Sequence, residues 1–276
     1  MPDFLDAAIE IAREAGQLLM SHRGVGFELK GTFDLVTAAD RASEQLVVKR
    51  LRECFPEHGI IAEEGGRAEL KAPLRWYVDP LDGTTNFAHG FPLWNVTLAL
   101  ARENEVIAGV VYDPLNRELF AAERGAGARL NGAPMHVSDA PKLEDALLAT
   151  GFPSLKRHLN VNIHFYYQLA MVTHGIRRGG SAALDLAYTA CGRLEGFWEF
   201  GLNPWDMAAG TLLVEEAGGK VSGMKGEPLD LYGRYLLADN GLIHSETLEL
   251  FAEIFQGRYV HEMPTLPAAE WELQHG

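Results

Sequence analysis

The stretch that most limits what this chain can fold into is Trp76-Tyr77-Val78-Asp79-Pro80-Leu81-Asp82-Gly83-Thr84-Thr85-Asn86-Phe87. Its first residues spell a short apolar strand. Pro80 cannot donate a ladder hydrogen bond and biases Asp79 away from helix, so the strand is expected to stop at Asp79. Asp82-Gly83-Thr84 then reads as a turn, and the amides of Gly83, Thr84 and Thr85 are placed to open a helix. Two carboxylates three residues apart therefore fall at a strand end, beside backbone N–H groups that can hold an anion. Carboxylates bind hard cations. Taken alone, the run suits an ordinary Asp-Gly turn as well as it suits a site joining a cation to a phosphate. Acidic residues elsewhere have to decide between the two.

Those acids recur in one pattern, a strand that ends and a carboxylate that follows. Glu63 follows Ile60-Ile61-Ala62, and Asp206 sits in Asn203-Pro204-Trp205-Asp206 at the first turn of a predicted helix. In an α/β protein such strand ends line one crevice. Carboxylates gathered there repel one another unless cations neutralise them, and Mg²⁺ needs only two or three per ion because it keeps several waters. Each residue also has a bland reading: Glu63-Glu64 as a solvated loop, Asp206 as a first-turn acid favoured by the helix dipole.

The rest of the chain is legible as alternating elements. Asp3 caps a predicted helix to about Met20, with Phe4, Ala8, Ile11 or Ala12, Ala15 and Leu19 inward. Lys30 to Asp40 is polar and contains glycine, and Asp40 is the expected N-cap of a second helix that Pro56 stops. After the central run, Val96–Ala101, Val106–Tyr112 and Glu118–Glu123 read as antiparallel hairpins, and Asn131-Gly132 as a tight turn. Further on come a strand at Ala146–Thr150, a helix within Ser154–His174, a short strand at Ile176–Arg178, and a helix Ala182–Cys191 capped by Ser181 with Gly192 beyond its end. Leu194–Phe200 reads as a strand, Pro204–Ala217 as a helix, Leu236 as part of a strand, and Ser245–Phe255 as a last helix.

Composition bounds the function. A 276-residue chain with 47% hydrophobic residues can bury a large core. The net charge of −14 argues against a nucleic-acid binder. The two cysteines, Cys54 and Cys191, lie far apart in apolar helical patterns and read as small buried hydrophobes. No apolar stretch reaches membrane-spanning length and the N-terminus lacks a leader-like run, so the expectation is a cytoplasmic protein. The ten histidines show no zinc spacing. His89 is expected at the surface, and Arg177-Arg178-Gly179-Gly180 can be read as a phosphate clamp.

Glu63-Glu64, the run Asp79-Pro80-Leu81-Asp82-Gly83-Thr84, and Trp205-Asp206-Met207-Ala208-Ala209-Gly210 together resemble the inositol monophosphatase family of magnesium-dependent, lithium-sensitive phosphatases. The resemblance runs from the first helix to about residue 255, and Gly180-Ser181-Ala182-Ala183-Leu184-Asp185-Leu186-Ala187-Tyr188 resembles its bacterial, SuhB-like branch. It implies an αβαβα sandwich spanning residues 1–260, with halves of about 1–140 and 141–260, a loosely held tail at 261–276, and a homodimer. It implies two to three Mg²⁺ per site: one on Glu63, Asp79 and the Leu81 carbonyl, a second on Asp79, Asp82 and Asp206, a weaker third on Glu63. Gly83 and Thr84 amides would take phosphate oxygens. The Thr84 hydroxyl, with Asp34 behind it, would orient the attacking water, and Lys30 would lie in a loop over the site. Ala182, Asp185 and Glu199 would face the alcohol half of the substrate. The implied reaction is hydrolysis of myo-inositol monophosphate or a similar polyol phosphate by direct attack of water. Relatives that take fructose 1,6-bisphosphate, histidinol phosphate or nucleotides, and SuhB-type partners of the transcription machinery, mark the alternatives.

Overall fold

The computed structural model describes residues 3–24, 27–31, 34–65, 67–68, 72–152 and 160–263; side chains of 27–37 and 67–68 lie outside that description. Helix α1 (Phe4–Ser21) begins where the sequence places it, with the Asp3 carboxylate accepting from the amides of Leu5 (2.9 Å) and Asp6 (3.2 Å). Its buried stripe is Ala8, Ile11, Ala12, Ala15 and Leu19. The polar segment that follows forms a hairpin, β1 (Phe27–Gly31) with β2 (Asp34–Thr37), which has too little apolar alternation to be read as strands. Helix α2 (Ala38–Cys54) starts earlier than expected, so Asp40 stands in its first turn, buried, rather than at its N-cap.

Strands β3 (Gly59–Ala62), β4 (Arg67–Ala68), β5 (Leu74–Asp82), β6 (Asn95–Arg102), β7 (Glu105–Asp113), β8 (Glu118–Glu123), β9 (Ala128–Leu130) and β10 (Ala133–Pro134) make one eight-stranded sheet in the order β10-β9-β8-β7-β6-β5-β3-β4. Only β3 and β5 run parallel within it. The β9–β10 turn uses Asn131 and Gly132, both at positive φ (51° and 84°), as a two-residue hairpin with right-handed twist demands. β5 departs from expectation. It does not stop at Asp79 but continues through Pro80 to Asp82, because a bulge absorbs the proline: the register passes from Asp79↔Thr97 to Asp82↔Asn95, three residues on β5 against two on β6. The helix behind it, α3 (Thr84–Ala88), is one short turn.

The second sheet holds β11 (Leu147–Thr150), β12 (Gly175–Arg177), β13 (Gly196–Phe200), β14 (Lys220–Ser222) and β15 (Tyr235–Asp239) in the order β12-β11-β13-β15-β14. The helices are α4 (Asn162–Val172), α5 (Ala182–Ala190), α6 (Pro204–Glu216) and α7 (His244–Phe255). Three apolar clusters stack these parts into five layers. Trp76, Val78 and Leu98 pack under α1 and α2; Tyr77, Ala99 and Phe197 sandwich α5 and α6 between the sheets; Trp198 and Leu237 pack against Phe165 of α4 and Phe251 of α7. The αβαβα sandwich is thus observed. The central helices are held close by small residues: a Cβ on Gly109 of β7 would come within 3.0 Å of Ala209 Cα, and one on Gly210 of α6 within 2.5 Å of Leu186 Cβ. Cys54 and Cys191 are half-buried thiols, less enclosed than their patterns suggest. No helix among the described residues is long and apolar enough to cross a membrane. Past α7 the chain turns back on α4, where Gln168 bonds His261 in both directions (2.7 and 2.9 Å); the remainder of the expected tail, 264–276, lies outside the described residues.

Candidate active site

Because β3 and β5 are parallel neighbours, with Ala62 beside Val78, their carboxyl ends stop side by side. Glu63 leaves β3 with its amide on the Val78 carbonyl (3.3 Å), and Asp79 follows Val78 on β5. Asp79 is 2% exposed, and its Oδ1 accepts from the Leu81 amide (3.0 Å). Asp82 is held more firmly: its Oδ2 accepts from Ser181 Oγ (2.6 Å), Asn95 Nδ2 (2.9 Å) and the Ala183 amide (3.0 Å), which ties β5 to the first turn of α5. Asp206 enters from α6, where its Oδ2 accepts from the Asn203 amide (2.6 Å). The capping reading of Asp206 is therefore correct as far as it goes, and the same carboxylate also faces the site.

These acids line one cavity of about 310 Å³, together with Leu81, Gly83, Thr84, Gly151, Phe152, Arg178, Ala182, Glu199, Asn203 and Arg234. Gly83 has φ +89°, and a Cβ there would lie 2.9 Å from the Leu93 carbonyl, so only glycine lets the turn deliver the Thr84 and Thr85 amides. Elsewhere in the wall, a Cβ on Gly151 would fall 2.0 Å from Glu199 Oε2; the glycine makes room for that carboxylate. Asp185, 3% exposed, sits behind the wall rather than on it. His89 is exposed, as expected.

Thr84 has a partner that its motif did not point to. Its hydroxyl donates to Asp40 Oδ1 at 2.9 Å, with the Leu81 carbonyl as a second acceptor at 3.1 Å. Asp40 is thus a carboxylate behind Thr84; the side chains of Asp34 and Lys30 lie outside the described residues. Reading Asp40 as a helix cap hid this role, since both uses favour an acid in a helix's first turn. Asn95 and Arg234 were also missed, because neither belongs to a motif with a spacing signal.

Burial is the first cause of every carboxyl shift in the cavity. It raises Asp79 well above the usual range, and the charges of Glu63, Asp82 and Asp206 add to it. It raises Asp82 against the opposing hydrogen bonds of Ser181 and Asn95. It pushes Asp206 up to about 8, helped by Asp82 and Glu199 and opposed by Asn203, and Glu199 up to about 8, helped by Asp185 and Asp82. Asp185 is raised by burial and by Asp82, with Arg178 opposing. So many acids, gathered in and behind one partly buried cavity, are short of positive charge. The donors are carboxylates and a carbonyl, without thiolate or imidazole, which is the chemistry a hard divalent cation prefers. Among the described residues no three acidic, histidine or cysteine side chains are already drawn into a closed metal-ligand cluster. The fit therefore rests on the donor chemistry and the unmet charge.

The profile of the inositol monophosphatase family matches residues 1–258. This chain belongs to that family. It is 44% identical over 254 residues to the inositol-1-monophosphatase of Synechocystis, covering 90% of this chain and 88% of that protein. It is 44% identical over 250 residues to the Nus factor SuhB of Pseudomonas aeruginosa, covering 87% and 92%. The solved inositol monophosphatase of Anabaena superposes with a TM-score of 0.83 at 41% identity, covering 96% of this chain and 98% of that one. Family membership makes this member a phosphoric monoester hydrolase.

Proposed function

We propose that the chain hydrolyses myo-inositol monophosphate, or a closely similar small polyol phosphate, with Mg²⁺. The observation that carries this reading is the meeting of Glu63, Asp79, Asp82 and Asp206 in one cavity that the Gly83–Thr84 turn and Glu199 also line. Glu63, Asp79, the Leu81 carbonyl, Asp82 and Asp206 would hold two ions, with a weaker third on Glu63. When bound, the ions neutralise phosphoryl oxygens and acidify water. The chain's own groups do the rest. The Gly83 and Thr84 amides bind phosphoryl oxygens, and the Thr84 hydroxyl orients the attacking water while Asp40 receives its proton. Water forms the new O–P bond in line as the P–O bond to the alcohol breaks; the leaving alkoxide takes a proton from solvent, and Asp40 returns to solvent the proton it received. Ala182 and Glu199 meet its hydroxyls, with Asp185 supporting from behind. A carboxyl pushed up to about 8 can both donate to and accept from a polyol. When ionised it is a poor neighbour for a second phosphate, which weighs against a bisphosphate substrate.

The test is phosphate release from inositol 1-phosphate, fructose 1,6-bisphosphate, histidinol phosphate and a 3′-phosphoadenosine nucleotide, each with and without Mg²⁺ and with added Li⁺. Turnover of inositol 1-phosphate that needs Mg²⁺ and falls with Li⁺ is expected; turnover of none of the four sinks the reading. A second reading is favoured by the relative named Nus factor SuhB, 44% identical. On it, a cytoplasmic homodimer of this chain also binds the transcription machinery, and Asp82→Asn, folded but inactive, would still recover RNA polymerase in a pull-down.

A further inference from the structure

The two halves of the site come from different layers, Asp79 from the first sheet and Asp206 from a helix that follows the second, and something must set their separation. One short segment, residues 230–234, touches both arms. On one side Tyr232 shares a hydrogen bond of 3.0 Å with Tyr77, which lies on β5 two residues before Asp79 and on the same face of the strand. On the other side Arg234 grips the turn between Glu199 and Asp206 four times. Its carbonyl accepts from the amides of Gly201 (2.6 Å) and Leu202 (3.1 Å), and its guanidinium donates to the carbonyls of the same two residues, 3.0 Å to Gly201 and 3.4 Å to Leu202. The next residue, Asn203, is the one whose amide the Asp206 carboxylate holds.

Two further observations bear on how this segment is held. Arg234 has φ 64°, a left-handed conformation that side chains other than glycine rarely adopt and that surrounding bonds must hold in place. Space adjoins it on three sides: the site cavity, which Arg234 lines, a cavity of about 320 Å³ reached by Tyr232 and Arg234, and one of about 970 Å³ lined by Asp230, Leu231 and Tyr232. Leu231 anchors the middle of the segment in the central apolar cluster, and hydrogen bonds hold it at both ends.

We propose that Tyr232 and Arg234 are positioning residues that hold the Asp206 arm at the distance from the Asp79 arm at which both can share a divalent cation. This rests on the metal-site assignment proposed above. Each acts through the backbone that carries a ligand. Losing an outer partner of a metal ligand weakens metal binding by roughly 10–100-fold, and the lower end applies here because two ties share the load.

The experiment compares wild type, Tyr232→Phe, Arg234→Met, Arg234→Lys and the Tyr232→Phe/Arg234→Met double variant. Mn²⁺ binding to the whole protein is measured by calorimetry without substrate, and the Mg²⁺ concentration for half-maximal phosphate release is measured beside it. Arg234→Met is expected to weaken cation binding about tenfold and to raise half-maximal Mg²⁺ in step. Tyr232→Phe should show a smaller loss in the same direction, and Arg234→Lys should recover part of the affinity. Unchanged Mn²⁺ binding in the double variant, or a fall in kcat that saturating Mg²⁺ does not restore, overturns the proposal. The calorimetric arm needs no turnover, so it reads the segment even if inositol 1-phosphate is the wrong substrate.

Discussion

Asp206→Asn should make the metal-free protein more stable while destroying its response to magnesium. The Asp206 carboxyl is pushed up to about 8 from an ordinary 3.8, first by burial and then by the charges of Asp82 and Glu199. A carboxyl whose folded pKa is raised binds its proton more tightly when folded. Its contribution to stability is complete below about 3.8 and is lost as pH rises through about 8. At about pH 7.5 the full difference is worth roughly 5 kcal/mol, at about 1.4 kcal/mol per unit. Asp79, Asp82 and Glu199 share the same burden, so neutralising one member should recover about 1–3 kcal/mol, or very roughly 3–8 °C in Tm for a protein of this size. Asparagine keeps an acceptor for the Asn203 amide, so the start of α6 is preserved. The assay is thermal unfolding at pH 7.5 in EDTA and in excess Mg²⁺. In EDTA the variant should melt above wild type. In Mg²⁺ wild type should climb by about 3 kcal/mol for a hundredfold excess over Kd, and the variant should gain little, so that the order closes or reverses. A variant that melts below wild type in EDTA, or that gains as much from Mg²⁺, would refute the argument that Asp206 is a charge awaiting a cation and leave it a plain helix cap.

Two more predictions follow from the same geometry. Asp40→Asn and Thr84→Ala should each lower kcat by roughly 10²-fold or more, and the double variant should be little worse than either alone, because the two act as one unit; multiplicative losses would separate them. His58, whose pKa burial lowers, accepts from the Trp76 indole N–H at 3.1 Å and must be neutral to do so. A histidine with a depressed folded pKa contributes stability above its unfolded pKa of about 6.5 and loses it as pH falls below that value. In Mg²⁺, wild type should therefore lose more Tm between pH 7.5 and 5.5 than His58→Gln, and equal losses would count against the coupling.

How far the sequence could be read depends on which signal each element carries. Asp3, Ser181 and Pro204 mark helix starts by local chemistry, and all three helices begin where those residues sit. The hairpins from Asn95 to Pro134 were legible because alternation and turn residues agree. The β1–β2 hairpin and the start of α2 were not, since a polar segment hides its pairing and Asp40 serves a second purpose that mimics a cap. The site acids could be found because each follows a strand. Asp185 was drawn to the cavity by its neighbours and lies behind it. Asn95, Gly151 and Arg234 act only through contacts made across 13, 48 and 33 residues of chain, which no local pattern records.

The bulge in β5 settles a question of parity. Side chains on a regular strand alternate, so residues an odd number apart point to opposite faces. Asp79 and Asp82 are three apart, whereas their partners Thr97 and Asn95 are two apart and share a face, as the Thr97–Asn95 hydrogen bond of 2.5 Å attests. One supernumerary residue around Pro80 thus turns an odd spacing even and brings both acids to the same side. The same three-residue spacing paired with β6 without the bulge would carry one of the two acids to the wrong side of the sheet.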